Sequence, residues 1–181
     1  MMNKFLILLG IAFFGWLCWN CEPIRSYSEI PEIKFKKLVF VDSINAGGLD
    51  GIDKYTVLSF SFIDGDGDLG VRPRDPDSVS KIHYTWYQKL SDGTYEPFQF
   101  KSGVINQEHI IPYGSVMDKT DAHNKTLKGT IEMALVTPSK PQDIDTMRIE
   151  FYIVDRAENL SNIEKTPDFS ILSETGAVIT K

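Results

Sequence analysis

Cysteine is almost missing from this 181-residue chain; the only two, Cys18 and Cys21, lie near the N-terminus. Everything beyond residue 21 therefore folds without an internal disulfide, and its stability must come from core packing and any bound ion. Positive charge is also in short supply. The formal net charge is −6, and removing the first twenty residues with Lys4, their one charge, leaves −7. The run "KFKK" at 34–37 is short enough to be a solvated strand end, so nucleic acid is excluded as a partner. Histidine is confined to His83, His109 and His123, with no HExxH, GxSxG or paired-His spacing. No catalytic constellation follows from such material, and although acids abound, no two stand out as a glycosidase pair. Helical periodicity, internal repeats and low-complexity tracts are missing from the chain after its first twenty residues.

What is present begins with one apolar run. Phe5 to Trp19 carry no charge, and these 15 residues follow Lys4. A spanning helix needs about 20 apolar residues, whereas a secretory apolar region needs roughly 7–15, so the segment predicts export. The following "GWLCWNCEP" has no small-residue cleavage pattern but places Cys21 at the boundary with a polar stretch. That arrangement resembles a bacterial lipoprotein signal, with Cys18 and Asn20 departing from the preferred residues. It predicts a signal peptide over 1–20, lipidation of Cys21, and a tether over 21–33 in which two prolines interrupt any periodicity.

From there, short segments rich in β-branched and aromatic residues dominate: 36–42, 55–63, 80–90, 95–100, 129–135, 146–154 and 162–169. Leu58, Phe60 and Phe62 alternate with Ser59 and Ser61, and Ile82, Tyr84 and Trp86 alternate with His83 and Thr85. Each strand thus has one core face and one wet face. "LSDGTY" at 90–95 reads as a tight hairpin. Seven or eight strands at this spacing predict an all-β, immunoglobulin- or fibronectin-like β-sandwich over 34–172, with 173–181 as a tail. At 42% hydrophobic content, the chain suffices for one domain with a true core.

The chemistry, if there is any, lies in "FSFIDGDGDLG" at 60–70. In a sandwich of this type the loop after the second strand and the loop before the last lie at the same pole. Asp64, Asp66 and Asp68 are thereby expected to face Asp155 and Asn159 of "DRAENLSN". Carboxylates gathered in this way repel one another unless a cation neutralises them, and Ca²⁺ takes about six to eight oxygens in a flexible geometry. The spacing is not that of an EF-hand, because Leu69 falls where that loop needs glycine. The plainer alternative is a solvated Asp/Gly turn, with Arg72, Arg74 and Arg156 as counter-charges.

These two motifs resemble the F-x-F-x-D-G-D-G-D-[IL]-G and D-x-A-G-N-x-S-N stretches of small envelope lipoproteins of Bacteroidota-type bacteria, with Glu158 in place of the usual glycine. The resemblance implies an immunoglobulin-like fold in the cell envelope; with the lipid anchor, the expectation is a monomer held at the outer membrane, periplasmic or surface-exposed. It implies no activity. Two functions stay open on sequence: a non-enzymatic binding or structural module that touches envelope proteins or glycans, or a carbohydrate-binding accessory protein or hydrolase. The second requires Trp86, Tyr87, Tyr95 and Phe98 to form one exposed surface.

Overall fold

The structure, a computed structural model, describes residues 27–44, 52–70, 79–99, 103, 106–111, 126–137, 146–171 and 173–181. The signal segment, Cys21, Arg72, Arg74 and His123 lie outside the described residues. Within them the protein is all-β, with ten strands: β1 (Glu32–Ile44), β2 (Ile52–Asp64), β3 (Lys81–Lys89), β4 (Tyr95–Pro97), β5 (Asn106–Ile110), β6 (Leu127–Val136), β7 (Thr146–Val154), β8 (Glu164–Lys165), β9 (Phe169–Ser170) and β10 (Val178–Thr180). No described helix is long and apolar enough to cross a membrane.

Two antiparallel sheets form the sandwich. One runs β10-β1-β2-β6; in the other, β3 and β7 pair centrally, β4 and β5 share the outer edge of β3, and β8 and β9 share that of β7. This is the strand pairing of an immunoglobulin-like fold, with consecutive strands divided between two layers. Period-two burial makes the layers cohere. Leu58, Phe60 and Phe62 of β2 meet Met147, Ile149, Phe151 and Ile153 of β7, and the Phe60 and Phe151 rings lie 5.1 Å apart across the interface. Trp86 is wholly buried and meets Phe169 edge-on at 5.9 Å. In β1 the inward positions change parity, from Ile33 and Phe35 to Leu38 and Phe40. A register shift between Phe35 and Lys37 causes it: one extra residue in the strand returns the apolar side chains to the core.

The structure departs from the sequence reading in four places. Residues 106–110, outside every segment expected to be a strand, form β5 with an almost wholly exposed "NQEHI"; pairing with β3, not hydrophobic alternation, makes it a strand. Residues 162–169 do not make one continuous strand; Pro167, which has no N–H to donate, lies in the gap between β8 and β9. Residues 173–181 are not a free tail, because β10 pairs Val178–Thr180 with Val39–Lys37. At the other end β1 already begins at Glu32, and residues 27–31 belong to the described body. The hairpin at 90–95 is as expected, closed by Leu90 N–H to Thr94 and Gly93 N–H to Leu90.

The edge of β1 nearest β8 is closed by side chains. Asn162 accepts the Ile33 N–H at 2.8 Å and donates to the Ile33 carbonyl at 3.0 Å, while Glu164 accepts from Phe35 N–H at 3.1 Å. One amide thus replaces a missing strand partner and ties the two sheets together. Asn162→Ala should cost about 2 kcal/mol, since it strands two backbone groups of a buried residue. Thermal melts should show Tm lower by roughly 4–8 °C; an unchanged Tm would remove Asn162 from the account.

Candidate metal centre

The alternation that builds the core also places the acids. Asp64 is the next inward position after Phe60 and Phe62, and Asp155 the next after Phe151 and Ile153. Ser80 is likewise the inward position before Ile82. All three are buried, so the apolar faces of β2, β3 and β7 end at one pole in polar groups. Beyond Asp64, Leu69 turns back into the core and anchors the far side of the acidic loop. The Ser80 hydroxyl accepts from Gly70 N–H at 2.8 Å and fixes where the loop ends. Gly67 takes φ 71°, a left-handed conformation that favours glycine, which lets the loop turn between Asp66 and Asp68.

Asp64, Asp66 and Asp68 can each present an oxygen within 4.8 Å of the other two. Two oxygens bound at about 2.4 Å to one ion stand no more than about 4.8 Å apart, so the spacing suits a common cation. Two of the carboxylates are aimed by backbone donors. Asp64 Oδ2 accepts from Leu69 N–H at 3.0 Å, and Asp68 Oδ2 accepts from Ala157 N–H at 2.9 Å. The remaining Oδ1 of each, and Oδ1 of Asp66, are shielded from solvent and have no hydrogen-bond donor. Three oxygens in that condition, on groups that are anionic in water, are costly to bury.

The electrostatics point the same way. Burial, then contact with Asp66, then the charge of Asp68 push the Asp64 carboxyl up to about 7, against the Leu69 N–H, which favours the ionised form. The Asp64–Asp66 contact becomes a hydrogen bond only when one of the two carries a proton. Asp68 is also raised, by burial and by the charges of Asp155 and Asp66, with Arg156 and the Ala157 N–H opposing. One proton shared between Asp64 and Asp66 would still leave Asp68 Oδ1 without a partner, whereas one divalent cation serves all three.

Of the five residues expected at the site, the structure gathers three. Asp155 lies close enough to act on Asp68 electrostatically, but its two oxygens are engaged with Asn159, accepting from the backbone N–H at 2.8 Å and the side-chain amide at 2.9 Å. The pair closes the turn that presents Ala157 N–H to Asp68. Arg156 donates to the Gly70 carbonyl at 3.5 Å, and none of the ion pairs among the described residues involves the three aspartates. Leu69, Ser80 and Ala157 were not singled out from sequence. The signal for the first was a lone leucine inside an otherwise acidic turn; the Ala157 contribution is a main-chain N–H and leaves no mark in residue type.

The aromatic surface required for glycan recognition is divided. Trp86 is in the core and Phe98 packs partly against it, while Tyr87 and Tyr95 lie on the outer face of the second sheet. There Arg148 covers the Tyr95 ring at 3.7 Å, and the Tyr95 hydroxyl donates to Asp168 at 2.6 Å. His83 stacks on Tyr152 at 4.9 Å, and His109 is exposed on β5. Compared with known proteins, the chain matches no protein-family model, no curated protein and no solved structure.

Glu158 is the one non-glycine among the described residues with positive φ, at 67°. A left-handed conformation costs a residue with a Cβ about 1–2 kcal/mol. Part of that returns as the greater chain entropy of glycine when unfolded. Glu158→Gly should therefore stabilise the protein by about 0.5–1 kcal/mol and raise Tm by roughly 2–4 °C in thermal melts; a lower Tm would contradict strain at this turn.

Proposed function

We propose that the chain is a non-catalytic immunoglobulin-like module of a bacterial cell envelope, anchored by lipid on Cys21, whose acidic pole is held together by one Ca²⁺. The observation that carries the ion is the set of three buried Oδ1 atoms without donors on Asp64, Asp66 and Asp68. Their oxygens would supply part of the coordination sphere, with loop carbonyls and water completing it, and Asp155 would add negative charge beside them. The ion's work is structural. It neutralises carboxylates that repel one another and so joins the loop after β2 to the turn after β7. A pole stabilised in this way suits a module that presents a surface to envelope proteins or glycans. The hydrolase reading has no comparable observation behind it, because the four aromatics it needs do not share a face.

Extracellular modules hold Ca²⁺ at about 10⁻⁴ to 10⁻³ M. With roughly 2 mM Ca²⁺ and a Kd near 0.1 mM, mass action contributes about 1.8 kcal/mol. Calcium should therefore raise Tm by roughly 4–7 °C over chelator. Asp66→Asn should abolish that rise while leaving stability in chelator level or higher, since a repelling charge has gone. A Tm indifferent to calcium in both proteins would reduce the loop to a turn. For the anchor, intact-mass measurement of membrane-extracted protein should find acyl mass on Cys21. Cys21→Ala should lose that mass and leave the membrane fraction or persist as precursor. An unmodified Cys21 in the mature chain would contradict it.

A further inference from the structure

Gly65 stands between two of the three aspartates, and its backbone is held on both sides. Its N–H donates to the Ser28 carbonyl at 2.9 Å, and its carbonyl accepts from the Thr126 hydroxyl at 3.3 Å. The approach of the N-terminal segment is close. A Cβ at Gly65 would stand 2.2 Å from the Ser28 oxygen and 2.5 Å from the Tyr27 oxygen, so only glycine fits while that segment is in place. One further contact holds the segment to the body: Lys128 of β6 lies 3.6 Å from the Tyr27 ring centroid, while within the segment the Ser28 hydroxyl accepts from Ile30 N–H at 3.0 Å. The chain entering the domain therefore lies directly against the backbone that orients Asp64 and Asp66.

We propose that cation occupancy of the aspartate loop clamps residues 27–30 to the body, so that the site controls how rigidly the domain is held by the chain that precedes it. The inference rests on the reading of the loop as a cation site. Asp64 is fully buried, with Oδ1 lacking a partner, and it cannot retreat from Asp66 and Asp68 without moving the Gly65 peptide. Repulsion among the three is relieved most cheaply by rotating that peptide. The rotation breaks the bond to Ser28, whereas displacing Leu69 would open the core. An ion that draws the carboxylates together sets the peptide in the orientation Ser28 requires. Binding and clamping are then linked reciprocally: whatever loosens the segment must weaken the ion by the same factor.

The test combines chymotrypsin cleavage after Tyr27 with calorimetric calcium titration of the full chain. In the wild-type protein, calcium should slow that cleavage at least about fivefold. Gly65→Ala, whose added methyl meets the Ser28 and Tyr27 carbonyls, should be cut rapidly with or without calcium while still binding the ion about fivefold or more weakly. Tyr27→Ala, which changes no charge and removes the ring that Lys128 faces, should weaken calcium at least about twofold. Calcium binding that leaves cleavage of the wild-type chain unchanged would overturn the clamp and spare the cation site. So would equal affinities in wild type and Tyr27→Ala. A wild-type chain that takes up no calcium at all would overturn both.

Discussion

Three carboxylate oxygens that are shielded from water and given no donor impose the main constraint on this structure. A buried anion without a counter-charge destabilises its fold by more than one hydrogen bond restores, so the pole at which Asp64, Asp66 and Asp68 converge is costly unless a proton or a cation compensates it. The protein meets part of that demand itself, with N–H donors from Leu69 and Ala157 and the charge of Arg156 near Asp68. These contacts fix the direction of two carboxylates and leave an oxygen of each uncompensated. The three carboxylates stand close enough for each to present an oxygen within 4.8 Å of the others, with Asp64 buried and Asp66 and Asp68 half-buried.

The rest of the architecture can be read as what brings those groups together. The period-two faces of β2 and β7 each run out of apolar residues at the same end of the sandwich, and the next inward residue is an aspartate. Leu69 reaches back into the core so that the loop cannot swing outward. Asp155 and Asn159 close the facing turn by hydrogen bonding with one another, and Asn162 fastens the same loop to β1. Core packing, turn chemistry and the acidic pole thus share a single set of residues.

Much of this was legible in the sequence because it depends on alternation. The strands around Phe60 and Trp86 announced their inward faces, and the loops after β2 and β7 were expected to share a pole, which put Asp64 and Asp155 at one end of the sandwich. The bulge at Lys36 was not legible, since it changes parity in a strand whose residues fit either face. Nor was β5, whose "NQEHI" has no apolar face and is recruited by the edge of β3. Within the site, residue type located the acids but not the hydrogen bonds that hold them. Asp64 and Asp155 have the same chemistry and the same strand-end position, yet Asp64 accepts from Leu69 N–H through one oxygen while both oxygens of Asp155 accept from Asn159. The Ser28 contact to Gly65 was invisible for a related reason, because both partners contribute main-chain atoms alone.

The central claim is that one divalent cation occupies the space among these carboxylates. Anomalous diffraction from crystals of the protein grown with calcium tests it directly. A single calcium peak should lie about 2.3–2.6 Å from an oxygen of Asp64, Asp66 and Asp68 alike. The contrary result would be no peak at that point, with Asp64 and Asp66 drawn into a direct carboxyl–carboxylate hydrogen bond at saturating calcium.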